Sequence, residues 1–122
     1  MATDGLSTRE YGGHLVVGLH GEVDIVNGAS VIAALAAAAA RDPRIIVDLS
    51  ALEFIDCSVL GGLGRVRAQA WQAGGDLLLA APRGRVRRIL TLTGLIDVFA
   101  VHASVDEAVR AAGWSRLAVT AE

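Results

Sequence analysis

Apolar residues along this chain fall into two rhythms: short, nearly unbroken runs, and longer stretches in which they recur every three or four positions. The runs are Leu15 to Leu19, Arg44 to Leu49, Asp76 to Ala81 and Val98 to Val101. Such runs predict strands, and the second and third, broken only by Asp48 and the leading Arg44 and Asp76, have the look of strands covered on both faces. Each large side chain in them contributes roughly 1.5–3 kcal/mol on full burial. An earlier stretch, Leu6 to Tyr11, is a candidate hairpin partner for the first strand across a Gly12-Gly13 turn. Gly21-Glu22-Val23-Asp24 then breaks the strand pattern.

The helical stretches lie between the runs. Asn27 is a suitable N-cap for a helix through Ser30, Val31, Ile32 and Leu35 to about Ala40, stopped by Asp42-Pro43. Its alanines favour helix strongly, and Val31, Ile32 and Leu35 define a narrow buried stripe. Val59, Leu63, Val66 and Ala70 share one face of a second helix that Gly74-Gly75 terminates. Val86, Ile89 and Leu90 suit a short third helix ending at Gly94. Ser104, with Glu107 three residues later, has the capping-box spacing for a fourth. Strands alternating with helices after an initial hairpin predict an α/β fold, a mixed, mainly parallel sheet of four to five strands with about four helices. No linker or repeat divides the 122 residues, so one domain is expected, with its core at about 6–113 and loose final residues.

Composition removes several classes of function. The net charge is −2 and aromatics make up 4%, which argues against a nucleic-acid partner, since that needs a basic surface or base-stacking platforms. The longest low-polarity run, Gly28 to Ala40, is too short and alanine-rich to insert in a membrane, which takes about 20 strongly apolar residues. The first residues lack the basic head and apolar core of a signal peptide, so a cytoplasmic location is expected. One cysteine permits no internal disulfide and no cysteine-based metal cluster. His14, His20 and His102 are scattered with no metal-ligand spacing. No metal and no cofactor are expected.

The most informative segment is RIIVDLSALEFIDCSVLGGLGR, from Arg44 to Arg65. It reads as a buried strand, a turn, and Asp56-Cys57-Ser58 at the mouth of a glycine-studded helix. Free amides at a helix N-terminus favour anions. Two readings follow: Asp56 or Ser58 simply caps the helix, or the elbow is a modification or contact site. Gly61, Gly62 and Gly64 weaken the helix by up to ~1 kcal/mol each relative to alanine, which points to close approach by a neighbouring helix or another protein. A thiol phosphatase would need arginine at position 63, which is Leu63, and no Cys-x-x-Cys pair serves redox chemistry. Gly61-Gly62-Leu63-Gly64 lacks the Lys-Ser/Thr of a phosphate-binding P-loop. Arg83, Arg85, Arg87 and Arg88 form the one basic cluster, either a solvated helix face or a contact for an acidic partner or phosphate. Catalysis is not expected.

Taken in order, several landmarks resemble the STAS domain family, named for sulphate transporters and anti-sigma factor antagonists. They are Gly21-Glu22-Val23-Asp24, Val47-Asp48-Leu49 with Phe54-Ile55-Asp56-Cys57-Ser58, Gly74-Gly75, and Thr93-Gly94-Leu95 followed by Phe99, spanning roughly Leu15 to Val109. The resemblance implies a STAS-like fold and, at this length, an anti-sigma factor antagonist. Its partner would be an anti-sigma factor, usually a serine-protein kinase, with a serine phosphatase resetting the switch. It also implies a contact patch of Asp24, Asn27, Asp56, Cys57, Ser58 and Gly61. The family's phosphoacceptor directly follows the aspartate, and that slot here holds Cys57, so Ser58 is the candidate for phosphorylation. Val59 replaces the glycine that usually follows. The alternative is an accessory subunit of a membrane lipid-transport ABC system. Oligomeric state is not legible.

Overall fold

The computed structural model describes residues 5–113; the final residues expected to be loose lie outside these. The element order is β1 (Leu6–Tyr11), β2 (His14–Val23), α1 (Gly28–Arg41), β3 (Arg44–Ile55), α2 (Cys57–Gln72), β4 (Asp76–Ala80), α3 (Gly84–Leu92), α4 (Leu95–Val98), β5 (Ala100–His102) and α5 (Val105–Ala112). One sheet runs in the order β1-β2-β3-β4-β5. Only β1 is antiparallel to its neighbour; the other three pairings are parallel. The mixed, mainly parallel α/β sheet read from the sequence is therefore present, with five strands. The four expected helices are joined by α4, a single turn.

Alternation along the strands divides the core in two. Val17, Leu19, Ile45, Val47, Leu77 and Leu79 face α1, α2 and α3. Their neighbours Val16, Ile46, Leu78 and Ala80 pack with Ala108 of α5 on the opposite face. Burial on both sides explains why these strands read as unbroken apolar runs. The Gly12-Gly13 hairpin is as expected: both residues have positive φ, the requirement of a tight two-residue turn.

Three boundaries depart from the sequence reading. Strand β2 does not end at Leu19 but continues through Gly21-Glu22 to Val23, with register irregularities against β3 between Gly18 and His20 and between Gly21 and Glu22. Gly21, at φ +70, supplies the bulge conformation. Strand β3 runs past Leu49 to Ile55, because Leu52 and Ile55 are buried while Ser50, Ala51 and Glu53 face solvent. Half-exposed strand alternates, so it escapes a search for continuous runs. The last strand begins at Ala100 instead of Val98: Gly94 at φ +77 starts the α4 turn, closed by the Phe99 amide donating to the Leu95 carbonyl. Among the described residues no helix is long and apolar enough to cross a membrane.

Two glycines set helix placement. At the end of α2, the Gly74 amide donates to Trp71 O and the Gly75 amide to Ala70 O, with Gly74 at φ +87. This is the paired closure typical of a left-handed helix terminus. A Cβ on Gly75 would lie 2.2 Å from the Pro43 carbonyl oxygen, so the connection into β4 runs directly against the start of β3.

Candidate functional site

Val23 and Ile55 are paired where β2 and β3 end, and the Asp56 amide donates to the Val23 carbonyl (3.0 Å). The two loops that leave these strands, toward α1 and α2, are thus held side by side at the C-terminal edge of the sheet. In open parallel sheets this edge is where loops are free to carry function.

The first loop is built by two side chains that bond inward. Asp24 Oδ1 accepts from the Val26 amide (2.9 Å) and the Asn27 amide (3.3 Å). Asn27 Oδ1 accepts from the Asp24 amide (2.8 Å), and its Nδ2 donates to the Glu22 carbonyl (2.9 Å). Asn27 sits at the N-cap position of α1 but makes no side-chain cap bond. The capping role expected of it is replaced by clamping the loop. That clamp pushes Ile25 and Val26 outward, 78% and 91% exposed. Two large apolar side chains are thus left in solvent side by side, next to the elbow.

The second loop is the elbow. Asp56 is the N-cap of α2: its Oδ1 accepts from the Ser58 amide (2.8 Å) and from the Ser58 hydroxyl (2.7 Å). The Ser58 amide, and then its hydroxyl, hold the Asp56 carboxyl below the ordinary aspartate range. Cys57 and Ser58 are exposed and Asp56 is partly so, whereas Val59 and Leu60 turn into the core. Capping and exposure therefore coexist, and the capping reading does not displace the contact reading.

Between α1 and α2, beside the elbow, lies an open groove of ≈ 440 Å³, lined by the apolar Ile25, Gly28, Ala29, Ile32 and Val59 and by Asp24, Ser58 and Arg65. The helices approach closely because Cβ atoms are missing: one on Gly28 would stand 2.7 Å from Val59 Cγ2, and one on Gly62 would stand 2.7 Å from Ile32 Cγ1. The close approach expected from the glycines of α2 is thus made by Gly62 alone. Gly64 meets nothing within 4 Å, and a Cβ on Gly61 would have only Arg65 Nη1 beside it, at 3.8 Å.

Of the six contact residues expected from the sequence, Asp24 and Ser58 line the groove, Asp56 and Asn27 hold its loops, and Cys57 and Gly61 lie exposed on α2. Sequence reasoning missed Ile25, Val26, Ile32 and Arg65. Ile25-Val26 carried a usable signal, two large apolar residues in a loop on no periodic face. The basic cluster sits on α3 and, as Arg83, at its N-cap position, outside every ion pair among the described residues, with the Arg85 guanidinium 5.4 Å from the Phe54 ring centre. Among the described residues no group of three or more His, Cys, Asp or Glu could hold a metal ion.

The sequence profile of the STAS domain matches residues 6–108. A candidate anti-sigma factor antagonist of Bordetella bronchiseptica, BtrV, is 31% identical over 107 residues, covering 87% of this chain and 92% of that protein. The crystal structure of an anti-sigma factor antagonist from Mycobacterium paratuberculosis superposes with a TM-score of 0.77 at 29% identity, covering 88% and 92% of the two chains. The Bacillus antagonist SpoIIAA in its unphosphorylated form superposes at 0.73 with 23% identity, covering 91% of this chain and 99% of its own; a phosphorylated form of SpoIIAA matches at 0.64 with 21% identity, covering 86% and 96%.

Proposed function

This chain belongs to the STAS domain family, and we propose from that premise that it is an anti-sigma factor antagonist: a domain without a reaction of its own that binds an anti-sigma factor and so frees a sigma factor. One observation carries the reading. The exposed Ser58 lines a largely apolar groove together with the exposed Ile25, whose chain neighbour Val26 is exposed as well. An apolar cleft beside a modifiable hydroxyl is what a partner-exchange switch requires. The partner inserts an apolar anchor between α1 and α2, and modification of Ser58 adds about −1.5 to −2 charges at the edge of that contact.

Ser58 is the acceptor in this proposal, because a serine kinase cannot phosphorylate the Cys57 thiol that fills the usual slot. The Ser58 Oγ–H donates to Asp56 Oδ1, and the residue is exposed, so an incoming phosphoryl group can reach it. The partner is an anti-sigma factor of the serine-kinase type, and a serine phosphatase reverses the mark.

The test is co-purification with the tagged domain, wild type against Ser58→Asp, together with labelling by the captured kinase and ATP. The reading expects an anti-sigma factor among the partners, lost on introducing the charge, and label on Ser58. Recovery of an ATPase with its permease, unaffected by Ser58→Asp, would replace it with the transporter-accessory reading.

A further inference from the structure

Arg65 is the cation of the groove, and the helix is built to send it toward Ser58. Its Nη1 lies 3.8 Å from where a Cβ on Gly61 would be, so the side chain lies back along α2 by one turn. Helical side chains lean toward the N-terminus, and positions three or four apart are neighbours, with about 5–6 Å between their Cβ atoms. Ser58 is three residues before Gly61. Adding that spacing to the 3.8 Å puts the guanidinium no more than about 10 Å from the Ser58 Cβ, over a glycine that leaves the path clear. Ser58 and Arg65 border the same groove, and Arg65 takes part in no ion pair among the described residues.

We propose that Arg65 receives a phosphate carried by Ser58 of the same chain, and that this contact draws the guanidinium across the mouth of the groove. The inference rests on the reading of Ser58 as acceptor. Transfer from a nucleoside triphosphate forms the P–Oγ bond, breaks the bridging bond to the γ-phosphorus and releases nucleoside diphosphate. The hydroxyl proton departs to the kinase's base or to solvent. With that proton goes the Oγ–H bond to Asp56 Oδ1, and two anions then face each other across the same short gap. The phosphoserine must turn away from Asp56, and the nearest unpaired cation bordering the groove is Arg65. A guanidinium takes phosphate oxygens in a two-pronged contact, which an ammonium does less well. Partner release then has two parts: added charge at the groove, and a side chain folded over its apolar lining.

The decisive experiment uses the full-length chain with phosphoserine encoded at position 58, followed by ³¹P NMR against pH at low salt. Phosphoserine ordinarily titrates near pH 6, and a cation in contact lowers that midpoint. Arg65→Gln is expected to raise the midpoint by about half a unit or more. Arg65→Lys should recover part of the difference, and Arg85→Gln should leave the midpoint unchanged. Equal midpoints in the parent and Arg65→Gln, or a shift produced by Arg85→Gln in place of Arg65→Gln, would overturn the proposal. Because the phosphate is installed without a kinase, the outcome is separate from that of the functional reading. A kinase that ignores Ser58 would remove the switch while leaving this contact to stand or fall on its own titration.

Discussion

Gly62 and Gly64 lie two residues apart on α2, and the same substitution at each should have opposite effects. At Gly64 a Cβ meets nothing within 4 Å. Gly64→Ala therefore removes only the backbone freedom that disfavours glycine in a helix, a gain of about 0.5–1 kcal/mol. At Gly62 the same gain is opposed by Ile32, whose Cγ1, Cδ1 and Cγ2 would stand 2.7, 2.9 and 3.1 Å from the new atom. Both branches of a β-branched side chain are engaged, so no change of χ1 alone clears the contact. Overpacking of this kind costs about 1–3 kcal/mol, which leaves Gly62→Ala neutral to about 2.5 kcal/mol less stable than the parent. Urea unfolding separates the two: with an m-value of about 1.5 kcal/mol/M the midpoints differ by about 0.7–2 M, Gly64→Ala the higher. Equal stabilisation of both variants would refute the claim that a missing Cβ sets the α1–α2 spacing. Since Ile32 lines the groove, Gly62→Ala should also weaken partner binding, and Gly64→Ala should not.

Three further outcomes follow from the same geometry. Asp56 should titrate below the ordinary aspartate range in a carboxyl ¹³C NMR experiment; its folded value is depressed, so its stabilising contribution is present above the ordinary value and is lost as pH falls through the folded one, below about pH 4. Ser58→Ala should raise that value only part of the way, because the backbone amide of residue 58 still donates. Val26→Asp, at a position 91% exposed, should change stability by no more than about 0.5 kcal/mol yet weaken binding of the anti-sigma factor at least about tenfold, close to 1.4 kcal/mol, as read by calorimetry. Gly75→Ala should lower stability by about 3 kcal/mol or more, since the new atom would meet the Pro43 carbonyl at 2.2 Å and neither is the end of a flexible side chain; a midpoint near the parent's would show that the backbone there yields.

How much of this could be read from the chain varied with the physics involved. Strands buried on both faces announced themselves as apolar runs, and α2 as a face of Val59, Leu63, Val66 and Ala70, all of which are buried. The second half of β3 did not, because its solvent face alternates polar with apolar, and α4 did not, because a single turn has no periodicity to detect. The elbow was legible because its parts are contiguous: strand, aspartate cap, exposed Cys57 and Ser58. The groove was not. It joins Asp24 and Ile32 to Ser58 and Arg65 through a packing distance that Gly28 and Gly62 set together, and no local pattern encodes an inter-helix spacing. Asn27 shows the same limit on a smaller scale. Its residue type suited a helix cap, but the backbone of Glu22 and Asp24, brought near by the β2 bulge, offered its amide better partners.

The central claim is that another protein sits on the C-terminal edge of the sheet, over the groove between α1 and α2. Titrating ¹⁵N-labelled domain with its anti-sigma factor, and following backbone amide shifts, tests this most directly. The account predicts that the largest changes fall in residues 24–33 and 56–65, and that they vanish when phosphoserine occupies position 58. Changes centred instead on the opposite end of the sheet, around Trp71, Leu92 and Val98, where apolar side chains are also exposed, would contradict it.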